Sequence, residues 1–482
     1  MTLWPQGFGM MAFFLGLLCY MAVSRQNEIA LGKREKFFVL LLLLLNLGHI
    51  VLLASPLEIP LTEKNYFSFD GSELVFALMT LIYFLLNHLN LYRDRISYER
   101  ELAAIQLVIA FLSLVLIFSN HMLVVTLALP LLILTVAFAP QLAYKSKASI
   151  SMNHGISWAA LVLLILALSS GLIYQELQTL RFDQIQKALS EKGFTTTSLL
   201  GWGAPLVLFC SLLCFPVFTF FAKDYEKADS WTLIGLFRQT LPLLGAIMIC
   251  RWILSMAGSW EADTFVPFKG FLVTLLPVVA FGLMAAFVLV QTLFAKNMAQ
   301  IFQIYSIQPL LLTLWSLSSG TKESFLKGVA GLFLYTIAVP LTLKIFMALD
   351  LKPFESTDGG RLALRAASFF QRLQLFALFI IFSPLGTFVG FSLIVSTAQG
   401  AQKILWLQLM PVICAASLMI SLISVLGELF DDFSPKVTAE NKTSYIDNII
   451  GYSLLIFVIT LGIYPSPLYK YVSYILSRMM IS

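Results

Sequence analysis

The chain has 482 residues, of which 59% are hydrophobic and 12% charged, with a formal net charge of +5. Soluble domains run nearer a quarter charged, so the chain reads as a polytopic membrane protein, and because no polar stretch is long enough a water-soluble domain of any size is excluded. The surplus of lysine and arginine lies in short loops, where it orients helices, and does not point to nucleic acid.

A membrane span takes about 20 apolar residues. Runs of that kind are expected at 8–23, 36–54, 72–91, 101–118, 120–140, 155–175, 198–221, 231–256, 268–293, 300–318, 324–348, 366–392, 403–427 and 447–465, about fourteen in all. Only Ser119 and Asn120 divide the fourth run from the fifth. The first run follows an uncharged MTLWPQG and has no small-residue cleavage site, so a removed signal peptide is not expected.

The first connection carries Arg25, Lys33, Arg34 and Lys36, the third Arg93, Arg95 and Arg100, and the fifth Lys145 and Lys147. The second is mostly acidic, with Glu58, Glu63, Asp70 and Glu73 against Lys64. Odd-numbered loops are therefore expected in the cytoplasm and both termini outside it. The loop at Lys352, Arg361 and Arg365 keeps this parity, whereas Asp431, Asp432 and Glu440 do not support it.

No phosphate loop, dinucleotide-binding glycine pattern, HExxH helix or GxSxG elbow occurs. Cys19, Cys210, Cys214, Cys250 and Cys414 all lie in apolar runs without a CxxC. Cys210 and Cys214 share a helix face, and buried packing is the expectation there, since no histidine accompanies them. His49, His88, His121 and His154 are scattered. A haem between two of them is the sharper reading and packing or helix-end histidines the ordinary one.

The informative feature is a duplication. CFPVFTFF (residues 214–221) interrupts the seventh span with Pro216, and FSPLGTFVGF (382–391) interrupts the twelfth with Pro384, five spans later. Each proline deletes a backbone hydrogen bond, and the freed carbonyls in a membrane need neighbouring helices, polar side chains or water. Paired broken helices point to an inverted-repeat transporter with its pathway at the breaks; two unrelated proline kinks are the plainer alternative. The expected organisation is a three-helix N-terminal segment (1–100), a first repeat (101–256), a second repeat (268–428) and a C-terminal helix (447–482). The expected fold is thus all-α, with two inverted five-helix repeats broken in their seventh and twelfth spans.

Several stretches, taken together, resemble a known family. SNHMLVVTLALPLLIL (119–134) resembles its fifth helix, and SSGLIYQELQTLRFDQIQKAL (169–189) its sixth helix with the short amphipathic turn after it. FPVFTFFAKDYEKA (215–228) resembles P-F-H-x-W-x-P-D-x-Y, with Pro216 and Tyr225 in register. MICRWIL (248–254) fits the end of the eighth helix, and KNMAQIFQIYSI (296–307) resembles N-x-K-R-L-L-x-Y-S-S-I. FSPLGTFVGF resembles G-I-P-x-x-x-G-F with two residues inserted, and LGIYPSPL (461–468) the final helix end. The family is the antiporter-like membrane subunits of respiratory complex I, and the resemblance is nearest to the subunit N type of NADH–quinone oxidoreductase.

The resemblance implies a membrane-arm subunit of the inner (cytoplasmic) membrane, embedded in lipid beside other membrane subunits of a complex I-like assembly. It implies that this chain binds no cofactor and has no redox site of its own, NAD, FMN, iron–sulfur clusters and quinone belonging to partner subunits. Proton-translocating members carry a glutamate on helix five and lysines on helices seven, eight and twelve, where displacing one partner of a buried pair shifts the other's proton affinity. In this chain the helix-five position falls at Leu129 or Pro130 and the lysine positions near Ser211, Pro242 and Ile394, while the family histidine is Phe218 and the lysine of the N-x-K-R stretch is Ala299. The break is kept and the charges are lost.

Ionisable groups remaining near membrane depth are Arg238, Arg251, Lys327, Lys344, Arg372 and Glu428. Arg238, Arg251, Lys327 and Lys344 are the candidates for a proton path; most stand close enough to span ends to snorkel instead. Gln239, Gln303, Tyr305 and Gln308 read as water-orienting groups or as interhelical glue. The expected function is coupling of quinone reduction to proton transfer, or a charge-depleted structural subunit of the same arm. The alternative is a stand-alone secondary transporter or a subunit of a related cation/proton antiporter complex.

Overall fold

A computed structural model of the protein describes residues 71–91, 99–144, 149–192, 199–214, 239–256, 322–348 and 445–479, with isolated positions at 41, 43–45, 235, 306–307, 310–314, 316 and 392. The described residues form ten helices. These are α1 (Gly71–Leu91), α2 (Glu99–Phe118), α3 (Met122–Tyr144), α4 (Ser149–Leu177), α5 (Phe182–Lys192), α6 (Leu199–Leu212), α7 (Thr240–Met256), α8 (Lys322–Ala348), α9 (Tyr445–Ile463) and α10 (Ser466–Met479). Four contain stretches long and apolar enough to cross a membrane, Glu73–Asn90, Met122–Ala139, His154–Leu177 and Leu326–Met347. Three shorter apolar helices are Ala104–Phe118, Thr240–Cys250 and Tyr452–Ile463. This is a multi-pass all-helical membrane protein, because in hydrocarbon a helix satisfies every backbone group within its own segment.

The division at Ser119 and Asn120 is real. Those two residues and His121 form a corner in which the Met122 amide donates to the Leu180 carbonyl (2.8 Å) and the Phe182 amide to the Asn120 carbonyl (3.0 Å). The α2–α3 connection is thereby clasped to the segment between α4 and α5. Helix α4 stops at Leu177 because Gln178 takes a left-handed backbone (φ 54°) and its amide returns to the Tyr174 carbonyl (2.8 Å), a helix-ending geometry usually given to glycine. Helix α5 is the short amphipathic turn expected from the resemblance.

In the run expected over 231–256, α7 covers Thr240–Met256, and positions 231–238, Gly235 apart, lie outside the described residues; Pro242 sits in the first turn of α7, where a missing N–H needs no partner. Two other boundaries depart from the sequence expectation. Helix α6 ends at Leu212, and the Cys214 amide closes a tighter turn on the Ser211 carbonyl (3.2 Å). After α9 a second helix, α10, follows Tyr464 and Pro465, since a helix stops before the residue preceding a proline. Pro216 and Pro384, and so the two expected breaks, lie outside the described residues.

Helices α2, α3, α4 and α6 pack successively against one another, and α8 packs against α1, α9 and α10. The interior sits around α1 and α8: the spanning stretch of α8 is 89% buried and that of α1 72%, against 33% for α4. Leu123, Leu127 and Leu131 of α3, and Leu161, Leu164 and Leu168 of α4, are exposed. With Leu41, Leu44 and Leu45 they make an outer apolar surface, which faces lipid or a partner chain rather than water.

Between α4 and α6, Ser169 donates from its hydroxyl to the Gly203 carbonyl (2.6 Å), and Trp158 Nε1 donates to the Leu213 carbonyl (3.1 Å). Small residues at such contacts let membrane helices approach closely. Cys210 and Cys214 are both fully buried, with Sγ atoms facing the carbonyls of Val162 (3.9 Å) and Cys210 (3.8 Å). They pack, as their spacing led us to expect.

Candidate functional site

One face of α1 is polar although it is buried. Glu73, Thr80, Tyr83, Asn87 and Asn90 recur at i, i+7, i+10, i+14 and i+17 and are all buried. At 3.6 residues per turn this spacing stacks them along one side of the helix, over about 26 Å at 1.5 Å per residue. In a membrane interior each of these groups needs a protein or water partner.

Two of them, Tyr83 and Asn90, find one on a distant segment, and Asn87 finds one on its own helix. The Tyr83 hydroxyl donates to the Gly235 carbonyl (2.6 Å). Asn87 Nδ2 donates to the Tyr83 carbonyl one turn back (3.0 Å), and Asn90 Nδ2 donates to the Pro340 carbonyl in α8 (3.0 Å). Gly235 is close-packed here: a Cβ at that position would run into Leu343 Cδ1 and come within 2.7 Å of Asn87 Oδ1. A larger residue here would require the Leu343 and Asn87 side chains to shift.

His88, also fully buried, faces α2. Gln106 Nε2 donates to the Phe84 carbonyl (2.7 Å), which fixes the carboxamide so that its Oε1 turns towards His88 Nδ1 (3.0 Å). An amide oxygen only accepts, so Nδ1 carries a proton directed at it.

A second part of the seam joins α7 and α8. The Tyr335 hydroxyl donates to Gln239 Oε1 (2.7 Å), and Gln239 Nε2 donates to Ser306 Oγ (2.6 Å). All three are buried. Gln239, read from sequence as glue or a water-orienting group, is thus the hub between three segments.

Of the residues singled out from sequence, Lys327 and Lys344 stand half-buried towards opposite ends of the continuous helix α8. Arg251 lies on α7, while Arg238, Arg372 and Glu428 lie outside the described residues, as do Gln303, Tyr305 and Gln308. Of the positions that the resemblance matches to charged residues, Leu129 is packed in the core and the Ser211 hydroxyl returns to the Val207 carbonyl (3.2 Å). One turn before Leu129, Thr126 Oγ1 pairs with Ser170 Oγ (3.2 Å) across α3 and α4. Glu73 is the one buried carboxylate among the described residues, at the N-terminal turn of α1, where the helix dipole favours it. No cluster of three metal-ligating side chains occurs among the described residues.

Sequence reasoning did not pick out Tyr83, Asn87, Asn90, Gln106 or Tyr335. The signal for three of them was present: polar residues at a helical repeat inside an apolar run mark an inward face.

No protein-family model matches the sequence, and no curated protein does. Solved structures match it over nearly its whole length. A chain of the membrane-bound sulfane sulfur reductase, an archaeal respiratory membrane complex, superposes with a TM-score of 0.77 at 16% identity, covering 99% of this chain and 97% of that one. A chain of the Mrp complex from a Dietzia species gives 0.74 at 13%, covering 100% and 98%. A chain of respiratory complex I from Thermus thermophilus with bound NADH gives 0.71 at 13%, covering 97% and 99%. At these identities the likeness is one of fold.

Proposed function

We propose that this chain is an antiporter-like membrane subunit of a multi-subunit respiratory or cation/proton antiport complex. The observation that carries this is the fold shared end to end, in both directions of coverage, with chains of three such complexes. The apolar outer surface at Leu44, Leu45, Leu127 and Leu164 supports a chain bounded by lipid and neighbouring subunits.

Within that class we assign it to the membrane arm of a proton-translocating NADH–quinone oxidoreductase, on the ordered local resemblances from residue 119 to the C-terminus. Flavin, iron–sulfur clusters, NAD and quinone would then belong to its partners. The buried interior of the described residues, built from Tyr, Asn, Gln, Ser, Thr and His88 rather than from lysine and carboxylate pairs, supports the charge-depleted form. Any proton transfer through it would use neutral groups and water.

The test is gentle purification of the tagged full chain from its native membrane, followed by identification of what migrates with it. Membrane and redox subunits of one complex are expected. A monodisperse chain alone, stable in detergent, would overturn the subunit reading in favour of a stand-alone transporter.

A further inference from the structure

The outer surface changes its chemistry where α9 meets α10. On α3 and α4 the large exposed side chains are mostly leucine. At the α9–α10 corner they are Ile463, Tyr464 (62% exposed), Pro467, Lys470 and Tyr471 (41% exposed). Helix α9 ends at Ile463, and α10 begins two residues later at Ser466. With 14 residues, α10 is about 21 Å long, too short to cross a hydrocarbon core of about 30 Å. It is amphipathic and packs on α1 and α8. Leu468 is buried, and the Tyr469 hydroxyl lies 3.4 Å from Ser392 Oγ. Pro467, Lys470 and Tyr471, spaced one turn apart, are exposed. From Ser466 to Ser482 the sequence holds Lys470 and Arg478 and no acidic residue.

We propose that α10 lies along the membrane–water boundary and that Lys470, flanked by the phenols of Tyr464 and Tyr471, binds the phosphate of an acidic phospholipid headgroup. A tyrosine at this depth keeps its ring among the acyl chains and its hydroxyl among the headgroups. A lysine does the same with its alkyl stem and its ammonium. The ammonium only donates, so an anionic acceptor is its match, and α10 supplies no carboxylate to satisfy it from within. Hydrocarbon alone would leave the charge without a partner. A layer that is apolar on one side and anionic on the other suits both the phenols and the ammonium.

Hydrogen exchange at the α10 amides tests this, measured on the full chain with the subunits that purify with it. The protein is placed in phosphatidylcholine vesicles and in vesicles of equal parts phosphatidylcholine and phosphatidylglycerol. Exchange is expected to be slower in the anionic vesicles, by about fivefold for each basic group engaged, and the difference to vanish in high salt. Lys470→Arg should keep the difference, Lys470→Gln should reduce it, and Lys470→Gln combined with Arg478→Gln should abolish it. Equal exchange in the two lipids overturns the proposal, as does a difference that survives in the double variant. Protection as strong in detergent as in either vesicle would mean that a protein neighbour covers α10, and overturns it too. The double variant's exchange in phosphatidylcholine shows whether its helix is still formed; if it is not, the wild type's response to lipid and salt, with Lys470→Arg, decides.

Discussion

The Tyr335 hydroxyl donates to Gln239 Oε1 at 2.7 Å, binding α8 to the residue that precedes α7. Gln239 passes the link on to Ser306 at 2.6 Å. Tyr335→Phe would strip the donor from a buried carbonyl oxygen and is expected to destabilise the fold by about 1–3 kcal/mol. Gln239→Leu should do more harm, since it removes both bonds at once. Thermal unfolding of the solubilised complex checks the order; equal stability of wild type and Tyr335→Phe would show the bond to be of no consequence.

Gly235→Ala is expected to be among the more damaging single-methyl changes in the described chain. The added carbon meets Leu343 and Asn87, and the strain of overfilling a packed interior runs about 1–3 kcal/mol. It also displaces the carbonyl that receives the Tyr83 hydroxyl. Gly171→Ala is the control: nothing lies within 4 Å of its new carbon, and alanine in a helix is favoured over glycine by about 0.5–1 kcal/mol. Opposite shifts in unfolding temperature are expected, and shifts of the same sign would contradict the packing at Gly235.

The corner at His121 should loosen in acid. Burial, and then the Arg181 guanidinium, hold this imidazole below its ordinary range. An opened corner returns it to about 6.5 and so binds the proton more readily than the closed one. Stability from this group is therefore complete above about pH 6.5 and is lost as the pH falls through the lowered folded value. Hydrogen exchange at the Met122 and Phe182 amides, which bond across the corner, should accelerate in acid after correction for intrinsic rates. His121→Gln should abolish that acceleration; if it persists, another group is responsible.

Proton-to-electron stoichiometry in reconstituted vesicles separates the two forms of the subunit role. Ser211→Ala should leave it unchanged, because that hydroxyl is spent on its own helix. Lys327 and Lys344 are 17 residues apart on α8, about 26 Å at the helical rise, so direct transfer between them is ruled out and intervening water is required. Lys344→Met and Arg238→Met are expected to lower the stoichiometry in a conducting subunit. An unchanged ratio in both, with normal assembly, identifies a sealing role.

The spans were legible in the sequence because a run of apolar residues as long as the bilayer is thick has one stable conformation, a helix, whatever surrounds it. The ends of α1, α2, α8 and α9 fall within about three residues of where hydropathy puts them. Even the fine division at Ser119 and Asn120 follows from two polar residues between apolar runs. That Leu129 and Ser211 carry no charge was equally legible in the chain, and the structure adds what they do instead: Leu129 packs in the core and the Ser211 hydroxyl returns to its own helix.

The polar seam was decided by tertiary structure. Tyr83 meets Gly235 across 152 residues, Asn90 meets Pro340 across 250, and Tyr335 meets Gln239 across 96. Helices that are apolar on every side do not announce which side faces inward, because lipid and protein interior are similarly apolar. The 3.6-residue pattern that orients a helix in water is therefore muted here, and only the few polar residues carry it. Which of them meet depends on how the helices cross, and that is set by close approaches such as the one Gly235 permits.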